Sequence, residues 1–171
     1  MKLKVKEITL FGILGALMYA SKVAMQFLPN IHLIGTFIVA STVVFRKKAL
    51  YPIYVYVFLE GLFGGFTAWW VPYLYVWALL WGAVMLLPKN MPEKAKPIVY
   101  AVVCSLHGFL FGTLFAPVQA ILFHLDFPKM LTWIAAGLPF DAIHGISNLL
   151  LGFLIMPLVS LLSRAQKNIS R

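Results

Sequence analysis

The chain has 171 residues, 62% of them hydrophobic and only 11% charged. A soluble domain of this length needs far more surface charge, so the bilayer is the expected solvent. The net charge of +9 could suit a nucleic-acid binder, but the cations stand in short clusters between apolar runs. That pattern excludes a nucleic-acid stripe and favours anionic lipid headgroups.

Taken in chain order, the apolar runs predict six membrane-spanning helices in one membrane domain covering residues 1–171. The first runs from about Ile8 to Leu28 and stops at Pro29-Asn30. The basic leader Met1 to Glu7 resembles a signal peptide, but no small-x-small cleavage site follows, so it reads as a retained first helix. The second, His32 to Phe45, is short for a crossing and ends at Arg46-Lys47-Lys48; it is expected to be tilted or shielded by neighbours. The third covers Ala49 to Phe63 and breaks at Gly64-Gly65, and the fourth lies within Trp70–Leu87. The fifth, Pro97 to Phe123, is long enough to tilt or to break near Pro117. A polar-aromatic segment, His124 to Thr132, leads to the sixth, from Pro139 to Leu162.

Charge placement sets the orientation. Six crossings put Lys2, Lys4, Lys6, the Arg46–Lys48 cluster, Lys89, Lys94, Lys96, Arg164, Lys167 and Arg171 on one side, twelve of the fourteen basic residues. The other side keeps only Lys129, with Lys22 inside a span. Positive charge resists translocation, so both termini are expected in the cytoplasm of a multi-pass cell-membrane protein.

Three features could carry function. On the first helix Gly12, Ala16, Ala20 and Ala24 recur every four residues, forming a small-residue ridge that another helix can approach closely. It serves either packing within this bundle or contact with a separate membrane subunit. The outer turn around Gly64-Gly65 concentrates aromatics, among them Trp69, Trp70, Tyr73 and Trp77, with Tyr73, Trp77 and Trp81 on one helix face. Such residues anchor at interfaces, and they can also stack on a flat ligand. Polar groups inside spans form the third set. Lys22 and Glu60 can pair with each other or with ligand. Asp141, His144 and Asn148, at i, i+3 and i+7, share one face of the sixth helix, and Asp141 is expected in its first turn, as a cap or as part of a polar pocket wall. His107 and Gln119 read as interhelical hydrogen bonders. His32, His124 and His144 have no metal-ligand spacing, and the single cysteine, Cys104, supports neither a disulfide nor a Cys-based zinc site. No nucleotide-binding motif or nucleophile elbow is present, so no cofactor or metal is expected, and ATP hydrolysis would fall to another chain.

This pattern resembles the substrate-binding S-components of energy-coupling factor (ECF) vitamin transporters, a type of ABC transporter. The likeness covers the whole chain: six helices, both ends inside, and Ala16-Leu17-Met18-Tyr19-Ala20, repeated by Ala20 to Ala24, matching the family's Ala-x-x-x-Ala motif. The stretch Pro139 to Asn148 is similar to the sixth helix of many S-components. The resemblance implies high-affinity capture of an extracellular vitamin or precursor, with cobalamin as first choice and riboflavin, pyridoxine and pantothenate open. It also implies partners, a transmembrane coupling subunit docking on Gly12, Ala16, Ala20 and Ala24 and two ATPase subunits, and no catalysis by this chain. Two alternatives remain: an intramembrane enzyme using Asp141 and His144 as acid and base, which lacks a clear third member, and a stand-alone carrier or assembly protein, for which no inverted repeat is visible.

Overall fold

The computed structural model describes residues 3–170, and among them the chain is all helix, without a strand. The α-helices are α1 (Val5–Ala24), α2 (Ile34–Phe45), α3 (Leu50–Gly64), α4 (Tyr73–Leu86), α5 (Lys96–Phe109), α6 (Phe111–Leu122), α7 (Phe127–Leu151) and α8 (Ile155–Ser170). Short 3-10 turns, Arg46–Ala49 and Gly152–Leu154, join α2 to α3 and α7 to α8.

Helix α2 sits at the centre. Nine of its twelve residues are buried, on all sides of the helix, which is how a helix enclosed by others reads. Two of its three hydroxyls bond to carbonyls: Thr42 donates back to Ile38 (2.7 Å) and Thr36 donates to Leu151 (3.2 Å), while Ser41 Oγ is buried without a partner. At about 1.5 Å per residue α2 is roughly 18 Å long, short of the ~30 Å hydrocarbon layer. Length and composition mark three stretches as able to cross a membrane: Val5–Ala24, Lys96–Leu122 and Phe127–Ile169. The remaining helices are shorter, so the six crossings expected from the apolar runs are not each matched by a full-length helix.

Two expectations are corrected. Helices α5 and α6 part at Leu110, and Pro117 lies inside α6. The break falls between Gly108 and Gly112, where glycines make a departure from helical geometry less costly. The helix carrying Asp141 begins at Phe127, with Pro139 inside it, so Asp141 is mid-helix and not in a first turn. Asp126 is the true N-cap, accepting from the Lys129 backbone N–H (2.9 Å), with Pro128 in the first turn. That bond holds the Asp126 carboxyl below its usual range. An Asp cap followed by proline is a complete start signal, and a bundle tolerates an interior proline because neighbours satisfy the freed carbonyl.

The long pair α5–α6 and α7 packs through small residues. A Cβ added to Gly108 would lie 2.9 Å from the Gly145 Cα, and one on Gly152 would lie 2.7 Å from the Ala101 Cα. Helix α1 buries Phe11, Leu14, Gly15 and Met18, and a Cβ on Gly15 would stand 2.9 Å from the Pro52 carbonyl of α3. The small-residue ridge lies off that face: Ala16, Ala20 and Ala24 are exposed, and a Cβ on Gly12 would meet nothing within 4 Å.

The two ends of the bundle differ chemically. At one end Lys48 pairs with Glu7, Arg46 donates to the Met85 carbonyl (3.2 Å), and Gln166 of α8 shares a cavity with Arg46 and Lys89. The basic clusters thus converge in space. The other end holds the Lys22–Glu60 ion pair and the aromatic turn after α3.

Candidate functional site

At the aromatic end, α1 and α3 each place one ionisable side chain facing the other. Lys22 pairs with Glu60, whose side chain is 8% exposed against 35% for the lysine. A buried carboxylate needs such a partner, and the half-open lysine keeps the pair in touch with solvent. Gly65, at φ 90°, turns the chain out of α3 in a conformation that favours glycine. The returning segment lays Trp70 against α3, its indole N–H donating to the Val57 carbonyl (2.8 Å). Gly61 makes that approach possible, since a Cβ there would meet the Phe66 ring and stand 2.8 Å from the indole nitrogen.

These groups enclose a cavity of about 210 Å³ lined by Lys22, Glu60, Thr67, Trp69, Trp70 and Tyr73, with Gly64 and Gly65 at its edge. The Lys22 ammonium stands 5.8 Å from the Tyr73 ring centre, within cation–π range. Tyr73 links the cavity inward through ring contacts with Trp77 (5.8 Å) and Phe115 (5.6 Å).

One layer deeper is a cluster of aromatic and imidazole rings. Trp77 is 1% exposed and touches His107 (5.6 Å), Phe111 (5.3 Å) and His32 (6.1 Å). His144 contacts His32 and Phe111, each at 4.8 Å. His107 bonds the Val76 carbonyl through Nε2 (3.0 Å), and Asn148 donates to the Cys104 carbonyl (3.2 Å). In this layer five buried atoms make no hydrogen bond to any protein group: His32 Nδ1, Trp77 Nε1, His107 Nδ1, His144 Nε2 and Asn148 Oδ1; Ser41 Oγ, Glu60 Oε1 and Gln119 Oε1 are likewise unmatched elsewhere. Leaving a buried donor or acceptor unmatched costs about 1–3 kcal/mol each, so five within one layer is a large cost concentrated in one place.

The structure therefore groups the sequence-derived residues in two layers. Lys22, Glu60, Trp69, Trp70 and Tyr73 line the outer cavity; Trp77 and His144 belong to the ring layer beneath it, and Asn148 lies beside them on α7. Asp141 sits at the crossing of α6 and α7, where both carboxylate oxygens accept from the Gly112 N–H (2.9 and 3.0 Å). It makes no hydrogen bond with His144, whose Nε2 stays unmatched. Gly12, Ala16, Ala20 and Ala24 lie outside both layers, on the α1 surface. Among the described residues no three His, Cys, Asp or Glu side chains converge as a metal-ligand set. His124 is exposed in the turn before α7.

Sequence reasoning missed His32 and His107 as members of the inner layer, together with Phe111 and Phe115. Their signal was available in part: His107 and Phe111 lie four apart, on one helical face of an apolar run. What spacing could not supply was the register that brings α5, α7 and the segment before α2 to the same depth.

No protein-family model matches the chain, and neither a curated protein nor a solved structure matches it. The functional reading rests on the site.

Proposed function

We propose that the chain is the substrate-binding subunit of an ECF-type vitamin transporter, a six-crossing membrane protein with both termini in the cytoplasm. It captures a vitamin or vitamin precursor at the aromatic end and delivers it through a coupling subunit driven by two partner ATPases. The observation that supports this reading best is the unmatched set His32 Nδ1, Trp77 Nε1, His107 Nδ1, His144 Nε2 and Asn148 Oδ1, seated among packed rings beneath an outer cavity. Polar atoms kept unpaired inside an apolar shell are what a site for a flat ligand with a few hydrogen-bonding groups requires. The aromatics supply stacking area and the orphaned atoms supply orientation.

The outer cavity of about 210 Å³ is smaller than the roughly 300–1,000 Å³ of drug-sized sites. It favours a one- or two-ring molecule over intact cobalamin, for which the outer turn after α3 would have to open. An acid–base enzyme is less well supported, because the Asp141 carboxylate is committed to the Gly112 N–H.

The test is the small molecule that co-purifies with the detergent-extracted protein, identified by mass spectrometry, followed by titration of tryptophan emission. Trp77→Ala, which removes a stacking ring, is expected to weaken binding by about 1–3 kcal/mol, or roughly 5- to 150-fold, and Asn148→Ala is expected to weaken it as well. Unchanged affinity in both variants would place the ligand elsewhere.

A further inference from the structure

The basic end of the bundle contains two adjoining cavities. One, of about 380 Å³, sets Arg46, Lys89 and Lys96 beside an apolar wall of Val43, Val84 and Tyr100. The second, of about 470 Å³, shares Arg46 and Lys89 and adds Lys47 and Lys48. Arg46 stands between them in a backbone conformation that residues with side chains avoid, φ 53° and ψ −121°. Helix α4 holds it there twice: the Trp81 indole N–H donates to the Arg46 carbonyl (3.1 Å), and the Arg46 Nη2 donates to the Met85 carbonyl (3.2 Å). Most of the guanidinium's five N–H donors remain uncommitted. Strain retained by fixed partners is characteristic of positions kept for function.

The charges here are unevenly matched. Lys48 pairs with Glu7 and Lys96 with Glu93, while Arg46, Lys47 and Lys89 have no carboxylate partner among the described residues. An occupant must therefore be anionic where it meets Arg46 and Lys89. It must also carry apolar surface to lie against Val43, Val84 and Tyr100. Free phosphate satisfies the first demand only, whereas a phospholipid satisfies both, and basic clefts between helix ends are where anionic headgroups lodge.

From this arrangement we infer that the cleft between α2, α4 and α5 binds the phosphate headgroup of an anionic phospholipid. Arg46 and Lys89 hold the phosphate, with Lys96, shared with Glu93, beside them, and Val43, Val84 and Tyr100 pack against the glycerol and upper acyl chain. The inference rests on the membrane reading of the chain but not on the identity of any vitamin.

The experiment is native mass spectrometry of the full chain in mild detergent, titrated separately with phosphatidylglycerol, phosphatidylcholine and inorganic phosphate. Phosphatidylglycerol should be retained at least about tenfold more strongly than phosphatidylcholine, and the preference should vanish in Arg46→Gln/Lys89→Gln. The Lys129→Gln protein, altered far from the cleft, should keep it. Because Arg46→Gln removes a bond to α4, Lys89→Gln/Lys96→Gln serves as a second variant that leaves Arg46 and its bonds in place and removes only the Lys96–Glu93 ion pair. Equal retention of the two lipids, or a preference that survives both double variants, overturns the proposal. Displacement of phosphatidylglycerol by millimolar inorganic phosphate also overturns it, by assigning the cleft to the free anion. Tryptophan titration on the same samples reports the aromatic end independently, so failure of the lipid site and failure of the transporter reading give different results.

Discussion

The Lys22–Glu60 pair shows how one residue-level contact can serve two ends. Both residues were identifiable from the sequence as charges at matching depth, because an ionisable group inside a span is costly unless paired; the structure joins them at the rim of the cavity. Lys22→Met leaves the Glu60 carboxylate, 8% exposed, without its cation. A fully buried pair broken this way costs about 3–5 kcal/mol, and solvent at the half-open lysine reduces that to about 1–3 kcal/mol. Thermal unfolding in detergent should show this loss, and Lys22→Met/Glu60→Leu should recover most of it. The same double variant should bind the co-purified ligand at least about tenfold more weakly. A recovered fold with undiminished affinity would make the pair purely structural. Asp141 was less legible: Pro139 suggested a helix start, and only the three-dimensional approach of Gly112 shows that its carboxylate caps a neighbouring backbone N–H.

At the scale of elements, the apolar runs placed α1 to α4 to within about four residues, since hydrophobic length is a local property, but they missed the parting of α5 from α6 at Leu110 and set the start of α7 at Pro139 instead of Phe127. What they could not give was which face meets which neighbour. The Ala16–Ala20 spacing and the Gly108–Gly112 spacing are the same four-residue signal, yet they have opposite fates here. Gly108 is pressed against α7, where a Cβ would lie 2.9 Å from Gly145 backbone atoms and 2.8 Å from Asn148 Nδ2. Ala16 and Ala20 look outward from the bundle. Gly108→Val should therefore cost about 1–3 kcal/mol or more through overpacking, read as a lower unfolding temperature. Ala16→Leu and Ala20→Leu should each change the stability of the isolated chain by no more than about 0.5 kcal/mol. On the proposed transporter reading, both should abolish co-purification with a coupling subunit while leaving small-molecule binding intact. A destabilised Ala16→Leu protein would show that the ridge packs internally after all, and a complex that survives both leucines would remove the docking role.

For the whole molecule, three stretches have the length of a span, whereas the placement of positive charge fits the six crossings proposed above. The Lys48–Glu7 ion pair bears on this directly. A chain crossing only at α1, α5–α6 and α7–α8 separates Glu7 from Lys48 by the full bilayer, which no ion pair can bridge. On the proposed topology α2 is short for a crossing but is buried on all sides, so its polar groups are met by neighbouring helices and not by lipid. The two topologies predict opposite results at every diagnostic position. With the N-terminus inside, six crossings put reporters fused after Lys48, Lys96 and Arg171 in the cytoplasm and one after Lys129 outside. Three crossings put the first three outside and the fourth inside. Paired cytoplasmic and external reporters at these four points, read in the intact cell, should follow the six-crossing pattern. The gathering of Arg46, Lys47, Lys48, Lys89 and Lys96 at one end of the bundle makes that end the one that resists translocation. An external signal after Lys48 together with an external C-terminus would reverse the orientation of both the aromatic cavity and the basic cleft, and the capture of an extracellular molecule would fall with it.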